Sequence, residues 1–136
     1  FGSYVGINNH MGSRFTGEVE AMAPVMRALR ARGLVYLDSR TSSRSAAPTA
    51  AHEAGVPVVV RDVFIDHERT SEAVASALAT VEEVARRNGR AIAIGHPRDV
   101  TIAALTRWLP RLEANGFRLV PLSAIVAELY PPGGPD

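Results

Sequence analysis

The sequence predicts an α/β fold in which parallel strands alternate with helices, arranged as an open doubly wound sheet or as part of a (β/α) barrel. Three observations carry that prediction. Short runs at 56–60 and 91–94 are continuously apolar rather than alternating, the mark of strands covered on both faces. Apolar residues then recur every three to four positions, as crossover helices require. Four of the five expected strands end in polar clusters, and in a parallel sheet such ends share one side.

Residues 4–8 read as the first strand, opening into Asn8-Asn9-His10 and a turn of Gly and Ser. Residues 18–32 have helical spacing, with Val19, Met22, Val25, Met26 and Leu29 on one face, Thr16 placed to cap and Gly33 to stop. Pro24 inside that segment marks a bend or a later helix start. A second strand at 34–37 ends in Asp38-Ser39-Arg40-Thr41, and an Ala-rich helix over 45–54 ends at Gly55. The third strand, 56–60, runs into Arg61-Asp62-Val63-Phe64-Ile65-Asp66. Residues 71–88 form the clearest helix, with a stripe of Val74, Leu78, Val81 and Ala85 and a stop at Gly89. A fourth strand at 91–94 leads to Gly95-His96-Pro97, and a helix over 99–115 carries a kinking Pro110. A fifth strand at 117–120 and a short helix at 123–129 complete a domain of residues 1–130, followed by a Pro/Gly-rich tail at 131–136.

The chain has 136 residues, enough for one domain with a real core, and no composition shift marks an internal boundary. At 46% hydrophobic and 21% charged it has an ordinary globular composition, and a net charge of +1 with scattered arginines argues against a nucleic-acid partner. The absence of cysteine excludes disulfides and thiolate metal sites. No apolar run approaches the roughly 20 residues of a membrane span, and Phe1-Gly2-Ser3 opens no signal peptide. Gly6, Gly12 and Gly17 do not match phosphate-loop spacings, and there is no Gly-x-Ser-x-Gly elbow.

His10, Asp38, Arg61, Asp62 and His96 are expected to converge at the C-terminal ends of the strands. His10 reads as a metal ligand or as a solvent-facing loop residue. His96, on a short turn between Gly95 and Pro97, reads as a proton donor or acceptor held in place, or as a cap on the next helix. Arg61, Asp62 and Asp38 read as an ion-pair network, either beneath a catalytic group or purely structural.

The run Val5-Gly6-Ile7-Asn8-Asn9-His10-Met11-Gly12-Ser13-Arg14-Phe15-Thr16 resembles the signature of the divergent polysaccharide deacetylase family. The resemblance continues through Leu37-Asp38-Ser39-Arg40-Thr41, Arg61-Asp62-Val63-Phe64-Ile65-Asp66, Ile92-Ala93-Ile94-Gly95-His96-Pro97 and Leu119-Val120-Pro121-Leu122-Ser123, in order over nearly the whole chain. It implies part of an irregular (β/α) barrel of the polysaccharide deacetylase type and removal of acetyl groups from an N-acetylated polysaccharide. It also implies a divalent metal, usually zinc, an acetylated glycan as partner and a periplasmic or secreted location.

By that resemblance His10 matches a metal-ligand position and His96 the late acid. Arg61 and Asp62 match the supporting charges, with Asp62 or Asp38 as the carboxylate beside the imidazole. Asn8, Asn9, Asp38 and Arg40 are the expected substrate contacts. Two departures accompany the match. The family's opening strand, with its paired Asp residues, is expected upstream of Phe1, and the second metal-binding His falls at Arg14. Because catalytic zinc normally takes three protein ligands, the chain alone is expected to bind metal poorly and to lack activity. An incomplete barrel also leaves a strand edge at 4–8, so self-association is expected. A non-catalytic carbohydrate-binding or envelope protein on the same scaffold is the competing reading.

Overall fold

A computed structural model of the chain describes residues 4–131, so the tail expected at 131–136 lies, apart from Pro131, outside the described residues. The elements are β1 (Gly6–Asn8), α1 (Val19–Arg30), β2 (Val35–Asp38), α2 (Ala47–Ala54), β3 (Val58–Val60), β4 (Val63–Phe64), α3 (Ser71–Asn88), β5 (Ala93–Ile94), α4 (Asp99–Trp108) and α5 (Leu122–Leu129). The strands pair in parallel, in the orders β1-β2-β3 and β4-β5, and the two sheets are open. The fold is therefore parallel α/β. The described residues pack as two compact units, one of residues 4–60 with 121–131 and one of residues 61–120.

In the first unit, α1 and α2 bury Met22, Met26, Leu29, Ala50 and Ala51 against Leu34, Tyr36 and Val56. Pro24 lies inside α1 and does not start it. It has no N–H to give, and the helix runs through it because its apolar face is buried around it. Thr16 does not cap α1. Glu18 occupies the N-cap without a side-chain bond, while Thr16 is buried and its carbonyl accepts the Ala46 N–H at 2.6 Å. Gly6 is required by close approach, since a Cβ there would run into the backbone carbonyl of Val35 on β2. Along the open side of β3, the Tyr130 hydroxyl donates to the Val58 carbonyl at 2.9 Å and accepts its N–H at 3.3 Å. One side chain thus satisfies the exposed backbone pair of an edge strand. The opposite edge, β1, keeps Val5 and Ile7 exposed. A groove of about 120 Å³ lies beside them, lined by Val5, Ile7, Leu37, Leu122 and Val126.

In the second unit, α3 and α4 bury Val74, Leu78, Val81 and Ala104 against Val63 and Ile65. The Thr70 hydroxyl caps α3 by accepting the Ala73 N–H at 3.2 Å, and Gly89 ends the helix in the left-handed conformation at φ 78°. Glu82 of α3 accepts the Trp108 indole N–H of α4 at 2.8 Å and pairs with Arg86 at 3.1 Å.

Two expectations are corrected in this unit. The helix expected over 99–115 stops at Trp108 and tightens into a 3-10 turn at Leu109–Arg111, because Pro110 has no N–H for the α-helical ladder. Residues 117–120 form no strand. The Phe117 N–H turns back to the Leu112 carbonyl, its ring lies under the Arg86 guanidinium at 4.8 Å, and Leu119 is 72% exposed, so the segment has β-like composition but no ladder. No helix among the described residues is long and apolar enough to cross a membrane.

Candidate functional site

The strongest polar constellation stands at the C-terminal ends of β4 and β5. Side chains alternate along a strand, so Val63 and Ile65 point into the helix-covered core while Phe64 takes the other face. Pairing of Phe64 with Ile94, continued by the Ile65 N–H to the Ile94 carbonyl, brings Asp66 level with His96. Gly95 lets the two strand ends approach, since a Cβ there would stand 2.6 Å from Ile65 Cγ1 and 2.9 Å from its Cδ1.

Asp66 is fully buried, and its carboxylate is ringed by donors. Oδ2 accepts the backbone N–H of His96 at 2.7 Å and the Thr101 hydroxyl at 3.0 Å. Oδ1 stands 3.1 Å from His96 Nδ1. The Arg98 guanidinium donates to the Asp66 carbonyl at 2.8 Å and lies 3.5 Å from Oδ2. Burial works to raise the Asp66 pKa. The hydrogen bonds from the His96 backbone, the His96 ring and Thr101, with the charge of His96, outweigh it and hold the carboxyl below its ordinary value. An ionised carboxylate only accepts, so Nδ1 carries the hydrogen of this contact. The imidazole is 31% exposed. A ring fixed at one nitrogen by a buried carboxylate and open to solvent is the arrangement of a general acid or base.

The carboxylate found against His96 is therefore Asp66 rather than Asp62 or Asp38. Asp62 is exposed, and its Oδ2 accepts the Ile92 N–H at 2.7 Å while its own N–H donates to the Ile92 carbonyl at 2.8 Å. It extends the ladder at the entry to β5. Arg61 lies with its guanidinium 5.3 Å from the centre of the Phe64 ring. Asp66 appeared in the sequence only as part of a polar run, and Thr101 and Arg98 not at all. The available signal was a lone carboxylate ending the apolar run Val63-Phe64-Ile65, directly opposite a histidine that ends another.

The remaining sequence candidates collect in the first unit, at the ends of β1 and β2. Asn8 Nδ2 donates to the Ser39 hydroxyl at 3.1 Å, Ser39 donates to the Asn9 carbonyl at 2.6 Å, and Asn9 Oδ1 accepts the Ser39 N–H at 2.9 Å. Asp38 is fully buried, with Oδ1 accepting the Arg40 N–H at 2.8 Å. Its Oδ2 is the buried side-chain oxygen without a hydrogen-bond partner among the described residues. Both loops close on left-handed non-glycine residues, Met11 at φ 58° and Arg40 at φ 45°, a conformation that costs energy and is held by its surroundings. Tyr36, two residues before Asp38 on the same strand, has its hydroxyl pushed up to about 12 by burial and by the Asp38 charge. His10 and Arg40 are exposed. The residues read together from sequence thus fall into two groups, one in each unit.

Among the described residues, no three His, Cys, Asp or Glu side chains stand together as metal ligands. With Asp66 committed to His96, Thr101 and Arg98, these residues do not by themselves fit a catalytic zinc site.

The chain is a parallel α/β protein with a histidine–carboxylate pair at its strand ends. The chain belongs to the divergent polysaccharide deacetylase family, whose model matches residues 1–126. It is 39% identical over 124 residues to the uncharacterized protein YibQ of Escherichia coli, covering 91% of this chain and 39% of YibQ. An uncharacterized protein of Haemophilus influenzae is 42% identical over 108 residues, covering 79% of this chain and 39% of that protein. The crystal structure of the uncharacterized protein ATU2773 from Agrobacterium tumefaciens matches with a TM-score of 0.87 at 36% identity, covering 90% of this chain and 50% of that one. The chain thus spans well under half the length of the curated relatives it matches.

Proposed function

We propose that this chain carries the proton-transfer part of a hydrolase that removes acetyl groups from an N-acetylated polysaccharide. The observation that supports it most is the His96–Asp66 pair, exposed at the imidazole and buried at the carboxylate. An amide nitrogen leaves only if it is protonated as the C–N bond breaks, and an imidazole fixed at Nδ1 can deliver that proton from Nε2. In this reading Asp66, Thr101 and Arg98 position His96, while Arg61 and Asp62 support the strand ends around it. Asn8 and Arg40, both exposed, contact the glycan, with Asn9 and Asp38 shaping their loops. His10 is the residue of this chain that the reading assigns to zinc, and a catalytic site would need two further protein ligands besides it. A periplasmic or secreted location belongs to the same reading.

The test is acetate release from an N-acetylated glycan by the protein that carries this chain. His96→Gln and Asp66→Asn are each expected to lower kcat roughly 10²- to 10⁴-fold. Full activity in either variant counts against the proposal.

A second reading, a carbohydrate-binding or envelope protein on the same scaffold, is favoured by the lack of a grouped metal-ligand trio among the described residues. It predicts glycan retention without acetate release, unchanged by His96→Gln. Self-association through the β1 edge belongs to either reading, because Val5 and Ile7 stand exposed there. Sedimentation of Ile7→Lys against the parent chain tests it, and a parent that is already monomeric contradicts it.

A further inference from the structure

Three ionisable side chains of the second unit, His96, His67 and Arg61, stand around the ring of Phe64. Its ring takes the face of β4 opposite Val63 and Ile65, so it is not needed to fill the helix-covered core. The His96 imidazole and the Phe64 ring form a tilted pair, with centroids 5.5 Å apart and planes at 73°. His67 approaches at 6.4 Å and 76°, and the Arg61 guanidinium lies 5.3 Å from the ring centre. Both ring pairs have the tilted geometry that aromatic groups favour, and the Arg61 contact has cation–π range.

Asp66 decides which way round the imidazole sits, because a half-turn about the Cβ–Cγ bond would put a carbon where Nδ1 meets the carboxylate. That one hydrogen bond leaves the tilt of the ring plane broadly free, since this torsion is soft. A neighbour on the ring's flank limits the tilt. From this geometry we propose that Phe64 is a positioning residue for His96, locking the plane of the imidazole that Asp66 anchors, with Arg61 held over the Phe64 face as its backing. The inference rests on the reading of His96 as the proton-transfer group.

The experiment compares Phe64→Leu, Phe64→Tyr and the parent in the protein carrying this chain. One arm follows the His96 ring by NMR and the other follows acetate release. Phe64→Leu removes the ring current on the His96 carbon-bound protons and loosens the plane of the ring, read as a lower order parameter for its carbon–proton bonds. It also lowers kcat roughly 10- to 100-fold, as misplacement of a catalytic group does, with KM unchanged. Phe64→Tyr keeps the aromatic flank and restores both signals. A His96 ring as rigid in Phe64→Leu as in the parent overturns the proposal, as does an unchanged kcat in an active enzyme. If the parent releases no acetate, the reading of His96 fails instead, and the NMR arm still decides whether Phe64 sets the ring.

Discussion

Asp66 and Asp38 are both fully buried carboxylates at or just past the C-terminal end of a parallel strand, yet they are built in opposite ways. Asp66 is met by His96 twice, by Thr101 and by Arg98, and the imidazole it holds reaches solvent. Asp38 takes one backbone N–H from Arg40 and keeps its other oxygen unpaired among the described residues. Its neighbours Asn8, Asn9 and Ser39 bond to one another and to backbone. The difference separates a charge arranged to act on another group from a charge enclosed within a loop lattice. Burial is the same for both and position differs by only two residues relative to the strand end, so the partners decide the role.

The largest way to break this comparison is to delete each carboxylate in turn. Asp66→Ala strands the donors of His96 and Thr101 and should cost about 3–5 kcal/mol of stability in urea unfolding. Asp38→Ala removes one backbone contact along with an unpaired buried oxygen and should cost only about 1 kcal/mol. Equal losses would show that the two sites are energetically alike. Next in size is Gly95→Ala, whose new methyl meets Ile65 and should cost about 1–3 kcal/mol while disturbing the strand end that presents His96. Tyr130→Phe, in the other unit, loses the bonds to Val58 and should cost about 1 kcal/mol. It should leave the His96 signals unchanged.

The pH dependence sharpens the same contrast. Asp66 is held below the ordinary carboxylate range, so its contribution is complete above pH ~4. That contribution is lost as pH falls through its depressed folded value. Tyr36 is raised to about 12, so its contribution is complete below the ordinary tyrosine value of ~10 and lost as pH climbs through 12. Acid should therefore weaken the second unit through Asp66, and alkali the first through Tyr36. Urea midpoints measured against pH should lose their acid slope in Asp66→Asn and their alkaline slope in Tyr36→Phe. Slopes unchanged by these substitutions would contradict both assignments.

Much of the scaffold was legible because its signals are local. The α3 stripe and its Gly89 stop give the helix its observed bounds of Ser71–Asn88. The failures share one cause. Residues 117–120 have the composition of a strand, but a strand exists only where a neighbour supplies a ladder, and composition does not reveal neighbours. Thr16 has the identity of a cap, but tertiary burial took it for another contact. The site followed the same rule. His96 stood out through its rigid Gly-His-Pro turn, whereas choosing Asp66 over Asp62 required the register of β4 against β5, which sets which carboxylate faces the imidazole.

The central claim, that Asp66 fixes His96 for proton transfer, is tested most directly by ¹⁵N NMR of the His96 ring in its neutral form. With Asp66 as its anchor the ring carries hydrogen on Nδ1, directed at Asp66, and a lone pair on Nε2, and that preference is lost in Asp66→Asn. A ring protonated mainly on Nε2, or one indifferent to Asp66→Asn, would contradict it.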